Sequence, residues 1–164
     1  MKTLLLLLAI ALLTSCARKQ YQVQSGVDFS TRYDMRRAIA PATLGTVSGG
    51  AWGVHKTVVH HPDRIPSGWN RQLWDGRVSW TNKYRHGDPA AGPAYPGSTT
   101  FLAWTTDAKH LFGTVHRATL FGSAVVIGLG EQRPVWHYLV DAGISFVAFS
   151  VGFHGVYSVA FMLR

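Results

Sequence analysis

The sequence predicts an all-α fold: a membrane-associated bundle of about three helices, over 38–61, 99–130 and 134–163, with a long aromatic-rich loop after the first. Three observations predict it. Two long apolar stretches close the chain, joined only by the polar link Glu131-Gln132-Arg133. A stripe of glycines at four-residue spacing, Gly45, Gly49 and Gly53, lies upstream. Charged residues make up only 15% of the chain, against about a quarter in soluble domains.

The length of 164 residues suits one domain. Lys2 followed by the apolar run 4–12 has the layout of a secretion signal, with a core too short for an ordinary span. Leu13-Thr14-Ser15-Cys16 resembles the bacterial lipobox, a site cleaved just before a cysteine that is then diacylated. The resemblance implies that 1–15 leave as a signal peptide and that Cys16 carries lipid. The plainer alternative is an uncleaved anchor with a chance cysteine. Cys16 is the only cysteine in the chain, so no intramolecular disulfide can form. Residues 16–37 are polar and basic and read as a lipidated tether, with a short helix around 32–38. The helical membrane domain then spans 38–164.

Over 38–61, helical periodicity carries Trp52, His55 and Val59 on a face beside the glycine stripe. Pro41 falls where a first turn tolerates it. Each glycine costs a helix nearly 1 kcal/mol relative to alanine, so the stripe needs a return. In membranes, small residues every fourth position let two backbones approach closely. The expectation is docking of Gly45, Gly49 and Gly53 on another helix, within the chain or between copies as a homo-oligomer. The alternative is a glycine-rich loop.

Residues 62–98 carry turn signals throughout, with Trp69, Trp74, Trp80, Tyr84 and Tyr95 between them. This density suits a loop lying at a membrane–water interface or a small aromatic core under it. A structureless loop of this length is unusual in a compact domain. Gly97, Ser98 and Thr99 read as the start of the second helix, with Ser98 as N-cap. The formal charge of +8 suits an anionic membrane surface. The basic residues are scattered and no RNA or DNA motif is present, so the expected partner is the lipid bilayer and not nucleic acid. Lys and Arg are similarly abundant on both sides of the first helix and do not decide orientation.

The run VSWTNKYRHGDPAAGPAYPGSTTFLAWTTDAKHLF resembles uncharacterised small helical membrane proteins of Bacteroidota-type bacteria. The matching residues are Trp80, Asn82, Lys83, Tyr84, Gly87, Asp88 and Pro89, then Gly97, Ser98, Thr99, Thr106, Asp107, His110 and Leu111. The resemblance implies the architecture and no activity.

If the last two helices form a hairpin, residues whose numbers sum to about 264 lie level. His110 then meets His154. Asp107 and His110 share one helical stripe, and the return of the chain brings His55 to the same end. The expectation is a buried network of Asp107, His110, His154 and His55, with His116 pointing elsewhere. These are also ligand types for zinc or a similar divalent transition metal. Arg133-x-x-x-His137-x-x-x-Asp141 faintly resembles the last motif of membrane phosphatidate phosphatases, with a different arginine spacing. Ile65-Pro66-Ser67-Gly68 resembles part of another, with Trp69 where that motif has His. No G-x-S-x-G elbow, P-loop or dinucleotide fingerprint is present. The expectation is a non-enzymatic, lipid-anchored envelope membrane protein without a cofactor. The alternative is a membrane-embedded, metal-dependent or phosphatase-like hydrolase using the His/Asp set.

Overall fold

A computed structural model of the chain describes residues 31–129 and 132–161. The expected signal peptide over 1–15, the expected lipid site Cys16 and most of the expected tether lie outside the described residues. The described residues are helical, with no strand and one isolated bridge between Tyr84 and Pro93.

Three long helices dominate: α1 (Ile39–His60), α2 (Ala108–Gly128) and α3 (Val135–His154), the last continuing as a π-helical turn over Gly155–Ala160. A short 3-10 turn, Met35–Ala38, leads into α1 and is capped by Asp34, whose carboxylate accepts the Arg36 N–H. Pro41 sits in the first turn of α1, where no intrahelical donor is needed. Pro62 follows directly on its C-cap, His61.

The second helix starts later than 99. Residues 97–106 form turns, with Gly97 at φ +88°. The Ser98 hydroxyl donates to the Lys83 carbonyl at 2.7 Å and so caps no helix. Asp107 takes that role: its Oδ1 accepts the His110 N–H at 2.9 Å. Both sites carry capping residue types. The pairing of Ser98 with the upstream loop, remote in sequence, selects between them.

The expected hairpin of the last two helices is also corrected. α1 lies against both of them, and they meet each other mainly near the link, where Ser123 and Ser145 hydroxyls are 2.8 Å apart. α3 runs parallel to α1, with Gly45 at Ser145, Gly49 at Phe149 and Gly53 at Phe153. α2 runs antiparallel to α1, with Pro41 at Ser123, Ser48 at His116 and His55 at Lys109. Backbone approach explains the arrangement. A Cβ at Gly49 would lie 1.9 Å from the Phe149 carbonyl oxygen, and one at Gly152 would lie 2.2 Å from that of Thr46. Glycines from both helices thus open one close seam, and docking is within the chain.

Residues 62–98, expected as a long aromatic-rich loop, are broken into short helical turns. Single helical turns cover Arg71–Trp74 and Gly76–Ser79, among others. Asp75 is buried and receives Arg71 and Arg77, each at 2.8 Å. The Arg77 hydrogen bonds hold its carboxyl well below the usual range. Asn82 donates to the carbonyls of Gln72 at 2.7 Å and Thr106 at 3.1 Å, tying the segment to the entrance of α2. Trp74 packs on Phe112 of α2.

Candidate functional site

The four residues expected to converge do so only in part. Asp107 is buried, and the ring Nδ1 of His110 lies 2.6 Å from its Oδ2. Burial works to raise the Asp107 carboxyl. Hydrogen bonds from the His110 ring and backbone and from the Thr106 hydroxyl outweigh it and hold the group below its ordinary range. His55 is a neighbour without joining the pair: its Nδ1 is 2.9 Å from the Lys109 carbonyl. His154 is elsewhere. It is exposed, its Nδ1 lies 3.4 Å from the Ser158 hydroxyl, and its ring meets Phe153 edge-on. Among the described residues no group of three or more His, Cys, Asp or Glu could hold a metal ion. Position 154 fails because α1, and not α2, is the close partner of α3, so the hairpin register does not apply at that depth.

His116, expected to point elsewhere than Asp107, faces α1 and Phe149 of α3. Its Nδ1 is 2.9 Å from the hydroxyl of Ser48, which also donates to the His116 carbonyl at 3.1 Å. Trp52 lies stacked between His116 and His55, with centroids 4.6 and 4.9 Å away. Helix α2 meets α1 along this ladder, so the α1 contact rather than the hairpin partner decides which histidine turns inward. Ser48 is fully buried, and among the described residues no carboxylate hydrogen-bonds to the His116 ring. The pair satisfies the buried Ser48 hydroxyl and the half-buried His116 ring and offers no accessible nucleophile. Beside it an apolar groove of about 350 Å³ opens between α2 and α3, with Gly45, His116, Ser123, Ser145 and Phe149 in its walls.

A second polar cluster sits at the other end, around the α2–α3 link. Arg133 and Asp141 form an ion pair at 2.7 Å with side chains only 7% and 2% exposed. Asp141 also accepts the Tyr33 hydroxyl, and Arg133 donates to the Ile127 carbonyl at 2.6 Å. Burial, then the Asp141 hydrogen bond and charge, push the Tyr33 hydroxyl up to about 12. The Arg133 guanidinium lies over the Tyr138 ring. His137 is buried, with Tyr33 and Trp136 against it and its Nε2 3.5 Å from the Thr31 carbonyl. The stretch 31–37, read as tether, is therefore docked on α3. The spacing from Arg133 to Asp141, about two helical turns, was a signal for the pair. Nothing local marks Tyr33 as the third member. Of the phosphatase-like triplet, Asp141 is committed to Arg133 and Tyr33.

Comparison with family models, with curated proteins and with solved structures finds no match for the chain.

Proposed function

We propose that this chain is a non-enzymatic integral membrane protein of a bacterial envelope, a bundle of its three long helices held additionally by lipid on Cys16. One observation carries the reading: the helices are packed inside out relative to a water-soluble domain. The interior of α2 is Ala108, Gly113 and Ser123, and that of α3 is His137, Asp141 and Ser145. The large apolar side chains point outward, among them Phe121 at 72% and Phe146 at 70% exposure, with Leu129, Leu139, Val147 and Val151 alongside.

Both helices are long and apolar enough to cross a membrane. Each such side chain gains about 1.5–3 kcal/mol on leaving water, so these faces together strongly favour a lipid environment. A small-residue seam between parallel helices is how helices associate where lipid removes the hydrophobic drive. Buried polar groups of the three helices pair with one another, Ser48 with His116, Ser123 with Ser145 and Arg133 with Asp141, as lipid solvent demands. The closed, paired state of Ser48–His116 and Arg133–Asp141 favours a structural role over hydrolysis. The glycine seam is used within the chain, so self-association would need another face.

The test uses single cysteines in a Cys16→Ser background, on membrane fragments open to both sides. Phe146→Cys should resist a membrane-impermeant maleimide until detergent is added, while Tyr95→Cys should react at once. Equal labelling of the two in membranes overturns the reading. Separately, Cys16→Ser should abolish incorporation of labelled fatty acid into the chain. Persistent incorporation would remove the anchor from the proposal.

A further inference from the structure

The apolar groove between α2 and α3 leads into a cluster of cations. On α2 its wall runs from Ile127, near the link, to His116, about 16 Å at 1.5 Å per residue. Beyond His116 the Trp52 ring stacks on it and, on its way to the far end of the bundle, on His55. The Lys56 Nζ lies 4.7 Å over the Trp52 ring. Arg117 turns back toward the same place, its Nε donating to the Gly113 carbonyl at 2.9 Å. Gly113 leaves the space open: a Cβ there would lie 3.2 Å from both the Arg117 guanidinium and the His55 Nδ1. Lys109 completes the cluster, with its carbonyl 2.9 Å from His55 Nδ1. His55 thus sits in the field of Lys56, Lys109 and Arg117 together.

Two features of this arrangement call for a ligand. First, none of the three cations has a carboxylate partner among the described residues. The carboxylate next in sequence, Asp107, is buried and taken by His110. Arg117 lies beside the midpoint of α2, Ala108–Gly128, where an unpaired charge is costly in a bilayer. Its guanidinium reaches back about one turn toward the surface, as long basic side chains do. Lys109 is in the first turn of α2 and Lys56 about one turn from the end of α1, so the cluster sits near headgroup depth.

Second, the groove beside the cluster is apolar and thin. Its volume of about 350 Å³ over that length gives a cross-section of about 20 Å², against roughly 80 Å² for a helix 10 Å across. A helix from a second copy does not fit inside it, whereas a single extended hydrocarbon chain does.

We propose that this groove binds one anionic phospholipid, its phosphate among Lys56, Lys109 and Arg117 and an acyl chain along Leu120, Ala124 and Phe146. Charge complementarity selects the occupant: basic pockets between membrane helices hold anionic headgroups, and a lipid without net charge leaves the excess of cations uncompensated. The proposal rests on the membrane reading above.

The experiment uses the full chain purified in a neutral maltoside detergent, with binding followed by native mass spectrometry. Three probes are titrated: phosphatidylglycerol, phosphatidylcholine with the same acyl chains, and glycerol phosphate. Phosphatidylglycerol should bind saturably and about tenfold or more tighter than either of the others. Lys56→Gln/Arg117→Gln should weaken it about tenfold or more, two basic contacts being lost. Ala124→Trp, an exposed wall position, should block the acyl chain and weaken both lipids. Arg36→Gln/Arg85→Gln, at exposed sites outside the groove, should bind as wild type does. Equal affinity for the two lipids, or for glycerol phosphate and phosphatidylglycerol, overturns the proposal. So does a loss in Arg36→Gln/Arg85→Gln as large as in the groove pair, or full affinity in Ala124→Trp. Absence of saturable phosphatidylglycerol binding, as where a second copy or the chain's own N-terminal segment covers the groove, overturns it too. Failure of the membrane reading would show separately, as maleimide labelling in membranes of Val147→Cys, whose side chain is exposed outside the groove.

Discussion

Replacing glycines of the α1–α3 seam by alanine should destabilise the protein in an order set by backbone clearance. At Gly49 an added Cβ would lie 1.9 Å from the Phe149 carbonyl oxygen and 2.8 Å from the Phe153 nitrogen. These are main-chain atoms inside a helix, so no side-chain rotation relieves the clash. Relief requires the helices to part by about 1.5 Å, which forfeits a large fraction of each contact along the seam, since dispersion falls steeply over such a gap. Overpacking of this kind costs about 1–3 kcal/mol and occasionally more, and alanine returns nearly 1 kcal/mol of helix propensity.

The net expectation for Gly49→Ala is a loss of about 2 kcal/mol, the upper end of that range less the propensity gain. Gly152→Ala, at 2.2 Å from the Thr46 carbonyl, and Gly45→Ala, at 2.5 Å from that of Ser145, should follow in order. Gly53→Ala, at 3.1 Å, should be close to neutral because the propensity gain offsets a small adjustment. Gly143 on α3 has nothing within 4 Å of its would-be Cβ, so Gly143→Ala should stabilise by about 0.5–1 kcal/mol. Equilibrium unfolding in mixed detergent micelles, read by near-UV circular dichroism, ranks the series. The reasoning is refuted if Gly49→Ala is as stable as wild type or if Gly143→Ala costs more than Gly49→Ala.

Three other outcomes are expected. Asp107→Ala should cost about 1–2 kcal/mol for the lost cap on α2, whereas His154→Ala should stay within about 0.5 kcal/mol; equal losses in thermal melts would contradict the placement of His154 outside the network. Arg133→Met alone should cost about 3–5 kcal/mol by stranding Asp141, and Arg133→Met/Asp141→Leu should recover most of it; a double variant no better than the single one would argue against the ion pair as the source. The folded carboxyls of Asp75 and Asp107 lie below their ordinary range, so the stability they contribute is full above about pH 4 and is lost as pH falls through the folded values. Tyr33, pushed up to about 12, acts at the other limit: its contribution is full below about pH 10 and is lost on rising toward 12. These groups therefore add a fall in melting temperature below about pH 4 and another above about pH 10, and a Tyr33→Phe variant that loses as much stability as wild type between about pH 10 and 12 would count against the Tyr33 assignment.

Much of the helical content was legible from local features. Helical periodicity and the terminal Pro62 placed α1 within a residue of Ile39–His60, because caps, breakers and apolar spacing act over a few residues. The same local logic misplaced the start of α2. Ser98 and Asp107 both carry capping chemistry, and only the contact of Ser98 with Lys83 decides that the first belongs to the loop.

The candidate site was less legible for a related reason. Asp107 with His110 is a one-turn relation and could be read directly. The pairings Gly49 with Phe149, Ser48 with His116 and Tyr33 with Asp141 join residues far apart in the chain. A short link between two apolar helices suggests that they are each other's main partner. Tertiary packing gave that place to α1, because only the glycine seam allows backbones to approach so closely. Residue type and spacing by themselves determined which segments are helical and which groups must find partners in a low-dielectric interior. Which partner each group meets was decided only by the tertiary structure, since register between distant helices depends on how the surfaces fit and not on any local preference.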